Sequence, residues 1–381
     1  MDTADQNQFE LNEDQCAIQE MAQAFAADRI APQALQWDRD KHFPVDILRE
    51  TGPLGMGGIY VRDDVGGSGL KRLDAVLIFE ALATACPTFS AFLSIHNMAA
   101  WMIDTFGNEE QRQRFLPQLT SMEWLASYCL TEPGSGSDAA ALKTRAVRDG
   151  DHYIVNGAKQ FISGAGSTDL YVTMVRTGED GPKGISTLVV PKDAPGLSFG
   201  ANEYKMGWNA QPTRTVIFDN CRVPVENRLG DEGVGFKIAM AGLDGGRLNI
   251  AACSLGGAQA ATAKALEYCA ERKAFGQTID RFQALQFRLA DIETELAASR
   301  MLLYTAASKL DRKTHDAGKW SAIAKRFVTD MGFNVANEAL QLLGGYGYLH
   351  DYGIEKLVRD LRVHQILEGP TKSCASSSSI T

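Results

Sequence analysis

The chain changes its repeating pattern twice, and this change constrains its fold more than any other feature. Residues 11–125 carry apolar side chains at helical spacing. Residues 126–228 hold short β-branched and aromatic runs between Gly, Asp and Pro turns, and residues 235–369 return to helical spacing. Because each pattern commits its segment to one kind of layer, we predict an α+β protein. Its expected parts are an N-terminal helical domain (1–125), a middle antiparallel β domain (126–234), a C-terminal helical bundle (235–369) and an atypical Ser-rich tail (370–381).

The sequence of the first segment predicts the beginnings of two helices, at Asn12 and Asn108, and one turn at 66–69. Asn12 is followed by Gln15, and Asn108 by Gln111, so each asparagine can accept a backbone N–H while the glutamine reaches back to the cap. The run G-G-S-G at 66–69 looks at first like a phosphate loop. It lacks the Lys-Ser/Thr that should follow, so we predict a turn before a helix.

His96 lies inside the apolar run 91–103, which is predicted to be a helix buried on most sides. A histidine in this setting could be a metal ligand or a base. No partner at metal-ligand spacing accompanies it, so the prediction is a buried, hydrogen-bonded histidine.

The middle segment contains four strand-like runs, at 152–157, 170–175, 185–190 and 215–218. Their short turns favour a small antiparallel sandwich or barrel over a parallel sheet. The glycines at 230, 233 and 235 read G-x-x-G-x-G, and no βαβ unit surrounds them. A Rossmann nucleotide site is therefore disfavoured, although a nucleotide cofactor is not.

The last segment carries two apolar helical stripes, which favour an antiparallel bundle. The first stripe consists of Leu285, Leu289, Ile292, Leu296 and Leu303. The second consists of Phe327, Met331, Val335 and Leu342, and it is predicted to end at Gly344 and Gly345.

Composition excludes several classes of protein. The formal net charge of −9 gives nucleic-acid binding no electrostatic support, and no apolar run reaches membrane-spanning length. The seven cysteines are scattered without a C-x-x-C pair, which favours a reducing compartment and argues against a disulfide framework or a zinc site. With an acidic, polar N-terminus, the expected location is the bacterial cytoplasm, or the mitochondrial matrix for a processed eukaryotic chain. The serine-rich segment 370–381 is expected to be disordered.

The stretch 128–138, Y-C-L-T-E-P-G-S-G-S-D, is the most distinctive string in the chain. Its proline and glycines prevent a regular helix, while its hydroxyls and accessible backbone N–H groups suit a ligand rich in carbonyl and phosphate oxygens. A short G-S-G-S by itself is more often an ordinary turn. The full eleven-residue string is far more specific.

Five ordered strings resemble the acyl-CoA dehydrogenase family over roughly residues 10 to 369. They are Y-C-L-T-E-P-G-S-G-S-D at 128–138, N-G-A-K-Q-F-I-S at 156–163, R-K-A-F-G-Q at 272–277, Q-L-L-G-G-Y-G-Y at 341–348 and I-L-E-G at 366–369. Further strings, such as S-I-H-N-M at 94–98 and H-Q-I-L-E-G at 364–369, are similar to the members that act on short branched-chain acyl-CoA in valine breakdown.

The resemblance implies a reaction and a set of partners. An acyl-CoA thioester would lose its α-proton to a carboxylate and its β-hydride to FAD, and an electron-transfer flavoprotein would accept the electrons. The implied assembly is a homotetramer, a dimer of dimers. The alternatives are a relative specific for 2-methylbutyryl or straight short acyl chains, or a catalytically silent protein that binds acyl-CoA or flavin.

Glu368 matches the family's catalytic base. By itself, a glutamate before a glycine near a C-terminus is most often a surface residue, but the preceding H-Q-I-L is apolar on one side, as a buried base requires. Some relatives carry the base at the position of Gly246, which has no side chain here. That difference strengthens the assignment of Glu368 and argues against an isovaleryl-type enzyme. The resemblance also implies that the Glu368 N–H and a flavin ribityl hydroxyl polarise the thioester carbonyl.

The remaining site residues are carried over from the family one position at a time. The substrate would contact Ser137, Asp244, Gly245, Gly246 and Arg247; for Arg247 alone, a surface ion pair is the other interpretation. The flavin end of FAD would contact Tyr128, Leu130, Thr131, Gly136, Ser137, Phe161, Ile162 and Ser163. Its adenine and pyrophosphate end would contact Arg272, Phe282, Gln283, Gln341, Leu342, Leu343, Gly344 and Gly345, partly from a neighbouring subunit.

The match to the family stops after Gly369. Pro370 and the serine-rich tail stand where relatives continue through another amphipathic helix. Pro370 supplies no backbone N–H and restricts Gly369. We therefore expect weaker FAD retention and lower stability than in a relative that has this helix.

Overall fold

The computed structural model describes residues 10–369 and has the predicted helical, β, helical order. The tail over 370–381 and the expectations attached to it lie outside the described residues. The N-terminal helices are α1 Glu13–Phe25, α2 Ala34–Asp40, α3 Val45–Glu50, α4 Arg72–Ala85, α5 Pro87–Phe106 and α6 Glu109–Thr120. The C-terminal helices are α7 Gly235–Glu271, α8 Gln283–Asp311, α9 Ala317–Leu343 and α10 Ile354–His364.

Both predicted capping boxes form. The Asn12 Oδ1 accepts from the Gln15 N–H at 2.8 Å, and the Asn108 Oδ1 accepts from the Gln111 N–H at 2.9 Å. Each glutamine side chain also accepts the backbone N–H of its cap. The run 66–69 is the turn that precedes α4, as predicted.

The middle strands are β1 Ala126–Cys129, β2 Arg145–Asp149, β3 His152–Ser163, β4 Leu170–Arg176, β5 Ile185–Pro191, β6 Leu197–Phe199, β7 Thr213–Pro224 and β8 Arg228–Leu229. They form one sheet in the order β6-β7-β3-β2-β4-β5-β8, with β1 paired to β4. Most pairs are antiparallel, as predicted, but β4 pairs in parallel with β1 and with β2. A short antiparallel hairpin, β9 Lys273–Ala274 and β10 Gln277–Thr278, joins α7 to α8.

The helices and the sheet share three apolar cores within the described part of the chain. One lies among the helices of both helical segments, one lies between α5, α6 and α7 and the sheet, and one lies within the β segment. α7 packs against α4, α5, α8, α9 and α10, so this long helix joins the two helical segments. Among residues 10–369, no helix has the length and apolar character needed to cross a bilayer.

The predicted stripe on α8 is largely confirmed, and one member of the α9 stripe is wrong. Ile292, Leu296 and Leu303 are buried on α8. Phe327 on α9 is 45% exposed. It lies at the margin of the packed face, where Lys325 and Val328 take the buried positions. α9 ends at Leu343, and Gly344 adopts a φ of +58°, as expected for a glycine that stops a helix.

His96 is buried and hydrogen-bonded, as predicted. Its Nδ1 accepts the Ala126 N–H at 3.1 Å, so the proton lies on Nε2, which is 3.1 Å from the carbonyl oxygens of Gly57 and Leu119. Burial lowers the pKa of His96 to about 4. This neutral imidazole ties α5 to the first strand of the sheet.

Candidate active site

The segment after α10 turns sharply and brings a carboxylate back toward the protein interior. α10 ends at His364, and the N–H groups of Ile366 and Leu367 both donate to the Val363 carbonyl. Glu368 and Gly369 then adopt φ values of +56° and +87°. A non-glycine residue held in this left-handed region costs about 1–3 kcal/mol, and such strain is most often found at functional sites.

The Glu368 carboxyl group faces α7 at Gly246. A methyl group placed on Gly246 would lie 2.6 Å from Glu368 Oε2 and 3.1 Å from the Met98 sulfur. Real Cβ atoms do not approach other atoms this closely, so glycine is required for the carboxyl group to occupy this position. Gly246 is therefore a position that cannot carry a base itself and that leaves room for the Glu368 carboxyl group.

Near neutral pH, the Glu368 carboxyl group is present in both its charged and its neutral form. Its Oε2 is buried and has no hydrogen-bond partner within residues 10–369. Burial raises the pKa of Glu368 to about 7, while the positive charges of Arg247 and Lys325 oppose this rise. The backbone N–H of Glu368 also donates no hydrogen bond in the described structure. The turn therefore presents a base and a free donor together.

Arg247 forms an ion pair within α7 and also approaches the turn that carries Glu368. Its Nη1 donates to Asp244 Oδ1 at 2.9 Å, and its Nε lies 3.5 Å from the Glu368 carbonyl oxygen. Burial raises the pKa of Asp244, and the arginine opposes this effect. Arg247 thus contacts both Asp244 on its own helix and the backbone of the turn that carries Glu368.

The buried Tyr60, the partly buried Tyr128 and an arginine lie around the same region. Burial is the main cause of the raised pKa values of Tyr60 and Tyr128, and the Glu368 charge adds to both. The Tyr128 hydroxyl has no hydrogen-bond partner in the described structure. The Arg72 guanidinium lies over the Tyr60 ring at 3.7 Å, and a methyl group on Gly245 would lie 2.5 Å from it. Gly245 and Gly246 therefore let an arginine and a carboxylate approach neighbouring faces of α7.

A buried ion pair supports the loop at 128–138. Lys159 Nζ donates to Glu132 Oε1 at 2.7 Å and to the Leu130 carbonyl at 3.1 Å. The Glu132 carboxylate also accepts the N–H groups of Lys143 and Thr144, at 2.6 and 2.9 Å. This network fixes the backbone on both sides of Thr131.

The residues assigned to the flavin end of FAD come from β1, the loop after it and the end of β3. The Gln160 N–H donates to the Thr131 carbonyl at 2.8 Å, which joins the loop to β3. Gly136 and Ser137 are exposed, while Leu130 and Ile162 are buried. Ser163 accepts a hydrogen bond on its carbonyl from Ser127 Oγ. Phe161 is 63% exposed with a φ of +60°, so this aromatic ring projects outward rather than into the core.

The residues assigned to the other end of FAD gather around an open cavity of about 400 Å³. Its lining consists of Tyr268, Arg272, Ile279, Leu342, Leu343, Gly344, Gly345, Tyr346 and Leu349. A methyl group on Gly344 or Gly345 would meet no atom within 4 Å, so both glycines border open space. Phe282, Gln283 and Gln341 do not line this cavity. Gln283 and Gln341 are exposed beside it.

Sequence reasoning missed several buried polar residues at this site, most notably Lys325 on α9. Lys325 is fully buried, and its Nζ donates to the Gly369 carbonyl oxygen at 2.6 Å. A weak signal was available, since Lys325 falls at helical spacing with the small and apolar residues Ser321, Ala322, Val328 and Thr329. Arg72 and Tyr60 carry no comparable local signal.

The fold and this carboxylate site define a known class. The chain belongs to the acyl-CoA dehydrogenase family: models of the N-terminal, middle and C-terminal domains of acyl-CoA dehydrogenase match residues 12–123, 127–221 and 233–375. The predicted fold class and family are thereby confirmed.

Particular members of the family resemble the chain over nearly its whole length. The mitochondrial isobutyryl-CoA dehydrogenase of Dictyostelium discoideum is 58% identical over 360 residues, which cover 94% of this chain and 86% of the relative. The mitochondrial isobutyryl-CoA dehydrogenase of Bos taurus is 57% identical, with the same coverage. The structure of butyryl-CoA dehydrogenase from Megasphaera elsdenii superposes with a TM-score of 0.94 at 36% identity and covers 97% of this chain and 98% of its own.

Proposed function

We propose that the protein catalyses FAD-dependent α,β-dehydrogenation of a short branched-chain acyl-CoA, converting isobutyryl-CoA to methacrylyl-CoA. The observation that carries the chemistry is the buried Glu368 carboxyl group, whose Oε2 lacks a partner in the described structure and whose pKa is raised to about 7. The choice of acyl group rests on the 57–58% identity to isobutyryl-CoA dehydrogenases.

Glu368 is suited to remove the α-proton. A base whose pKa lies near the working pH is populated in its charged form and still has enough basicity to accept a proton. Burial keeps water from competing for the carboxylate. The α-proton moves to a Glu368 carboxyl oxygen, and the electron pair of the broken C–H bond contributes to the new 2,3-double bond.

The backbone N–H of Glu368 offers a second contribution. Negative charge develops on the thioester oxygen as the α-proton leaves, and a donor already in place stabilises that charge. In comparable sites, removal of one such donor costs about 10²–10³ in rate. Within residues 10–369 the Glu368 N–H donates no hydrogen bond, so it is available for this purpose.

The residues present fit FAD. The open cavity at Arg272, Gly344 and Gly345 combines a guanidinium with glycines that permit close backbone approach, which suits a pyrophosphate and its nucleoside. Thr131 and Ser163 would offer polar groups to the isoalloxazine, and Phe161 would stack against it. When bound, FAD supplies the acceptor for the hydride that leaves the β-carbon.

The closest alternatives differ only in the acyl chain. A 2-methylbutyryl or straight short-chain substrate would use the same base and the same cofactor. One methylene group in an apolar pocket changes discrimination by about 1–3 kcal/mol, so related chains should react at measurable but lower rates.

Partners follow from the same proposal. An electron-transfer flavoprotein would reoxidise the enzyme, and the chain would assemble as a homotetramer, a dimer of dimers. Phe275 and Tyr348 are 95% and 84% exposed near the Arg272 cavity, which supports an interface there because exposed apolar patches mark interaction surfaces.

The test is the visible spectrum of the purified, FAD-loaded protein during anaerobic addition of isobutyryl-CoA. We expect bleaching of the flavin band that is faster than with butyryl-CoA or isovaleryl-CoA, and almost none in the E368Q variant. Bleaching by another acyl-CoA instead would reject the chosen substrate. A stoichiometric flavin that no acyl-CoA bleaches would reject the reaction and leave a binding protein.

A further inference from the structure

Two consecutive carbonyl groups in the turn after α10, those of Glu368 and Gly369, are each approached by a cation. Arg247 Nε lies 3.5 Å from the Glu368 carbonyl oxygen, and Lys325 Nζ donates to the Gly369 carbonyl oxygen at 2.6 Å. The two cations come from different helices, α7 and α9. The lysine contact is the shorter of the two, and it is made to the residue that directly follows Glu368 in the chain.

Lys325 is an unusual residue for its surroundings. Its side chain is fully buried on α9, on the same helix face as Ala322, Val328 and Thr329. An ammonium group in such a place must be compensated by hydrogen bonds or by opposite charge. The Gly369 carbonyl oxygen provides one such contact. The buried lysine is therefore linked directly to the turn that carries Glu368.

We propose that Lys325 is a positioning residue for proton abstraction, because its ammonium group holds the Gly369 carbonyl and thereby fixes the left-handed turn that aims Glu368 at α7. This inference rests on the proposed function and extends it to a residue outside the family motifs. Glu368 has a positive φ that a glutamate adopts only when its surroundings enforce it. Without the ammonium contact, the turn can relax and the carboxyl group can leave the space beside Gly246.

The charge of Lys325 adds an electrostatic effect to this geometric one. Lys325 and Arg247 both lower the pKa of Glu368 against the effect of burial. The Glu368 charge in turn raises the pKa of Tyr60, from the segment after α3, and of Tyr128, on β1. Lys325 also acts on a second buried group, His364 on α10, whose pKa burial and the lysine charge both lower. Removal of the lysine charge should therefore raise the pKa of Glu368.

The principal test uses K325M, in which the methionine keeps most of the side-chain length and lacks the charge and the donor. We expect flavin reduction by isobutyryl-CoA to slow by about tenfold or more, as misplacement of a catalytic group requires. The acidic limb of its pH profile should move to higher pH, with FAD content unchanged. R326M is the matched control, because it removes a neighbouring but exposed cation from the same helix. Its rate and pH profile should equal those of the parent protein.

Two further variants separate charge from positioning and also cover the case in which K325M does not fold. K325R keeps the charge and should keep the acidic limb in place, whereas K325Q keeps a donor without the charge and should shift the limb upward. Identical pH profiles for K325R, K325Q and the parent protein would overturn the proposal, as would a K325M variant with the parent rate and profile.

A measurement that requires no turnover distinguishes this inference from the proposed function. The carboxyl band of Glu368 can be followed against pH by infrared difference spectroscopy, with E368Q as the reference. We expect its midpoint to rise in K325M and not in R326M. If the parent protein reacts with no acyl-CoA, the proposed function fails. The infrared midpoint still decides whether Lys325 acts on Glu368, and an unchanged midpoint in K325M would contradict that.

Discussion

At the scale of single residues, the burial that suits Glu368 to its proposed role as a base also makes its carboxylate costly for the fold. The folded-state pKa of about 7 exceeds the ordinary value of 4.5 for an exposed glutamate. Between these values the folded protein binds more protons than the unfolded chain, so stability is lost as the pH rises through this window. The burial that favours proton abstraction by this carboxyl group therefore lowers the stability of the folded protein.

We predict that E368Q is more stable than the parent protein at about pH 8, by about 2 kcal/mol, and that the difference shrinks toward about pH 5. At the higher pH the parent protein must keep a buried carboxylate, whereas glutamine stays neutral. Urea unfolding at both pH values measures the difference. E110Q, at an exposed glutamate, is the control. A difference that does not change with pH would show that Glu368 does not titrate as described.

Gly246 gives a second prediction at this scale. In G246A, the new methyl group would displace the Glu368 carboxyl group, because the 2.6 Å contact falls on the end of a flexible side chain. We expect the protein to fold and to lose about 100-fold in the rate of flavin reduction, since a small misplacement of a reacting group costs this much. Stopped-flow absorbance measures the rate.

The control for G246A is G242A, one turn earlier on α7. Its methyl group would meet the Met102 sulfur at 3.0 Å, away from the carboxyl group, and a methionine side chain can adjust. We expect a rate near that of the parent protein. Equal losses in both variants would mean that α7 tolerates no alanine in this region, and the steric role of Gly246 would then be unsupported.

At the scale of elements, the loop after β1 depends on a buried ion pair rather than on its own sequence. Glu132 and Lys159 are both buried, and together they satisfy two N–H groups and one carbonyl of the surrounding backbone. Loss of one member of such a pair leaves the other charge buried and unpaired. The loop that carries residues assigned to the flavin is therefore sensitive to a change on a neighbouring strand.

We predict that K159M lowers the free energy of unfolding by about 3–5 kcal/mol, because it strands the Glu132 carboxylate. E50Q is the matched control: it removes the Arg29–Glu50 pair, whose side chains are 47% and 40% exposed, and should cost about 0–1 kcal/mol. Urea unfolding of the two variants measures both values. A loss in K159M no larger than in E50Q would contradict the structural role of the buried pair.

Element boundaries were predictable where the signal is local. The caps at Asn12 and Asn108 and the stop at Gly344 involve only residues within one helical turn, and all three form as the sequence predicts. The parallel pairing of β1 with β4 was not predictable, since about forty residues separate the two strands and neither specifies its partner. The prediction that Phe327 belongs to the buried stripe was wrong, because periodicity alone does not locate the edge of a packed face.

At the scale of the whole molecule, exposed aromatic residues lie near the Arg272 cavity, where the proposed assembly and the proposed cofactor site would meet. Phe275 lies at the turn of the short hairpin, with a φ of +53° and an almost fully exposed side chain. Arg272, at the end of α7, precedes this hairpin and lines the cavity. If a second subunit covers the hairpin, it also closes the cavity.

We predict that F275D reduces the molecular mass in solution and the bound FAD together, because a carboxylate is costly to bury in an apolar interface. Light scattering and the ratio of flavin to protein absorbance measure the two quantities on one sample. V147D is the control, since Val147 is a half-exposed apolar residue on β2. A loss of FAD without dissociation, or dissociation with full FAD content, would separate assembly from cofactor binding.

The order of layers, the local caps and turns and the family follow from the amino-acid sequence alone, because hydrophobic period and short motifs act over a few residues. The candidate base Glu368 was also identified in this way. The surroundings of Glu368 come from the folded chain. Gly246 makes room for the carboxyl group, and Lys325, 44 residues before Gly369, holds its turn. The physical reason is that the pKa and orientation of a side chain depend on burial and charge, and both are supplied by elements distant in sequence.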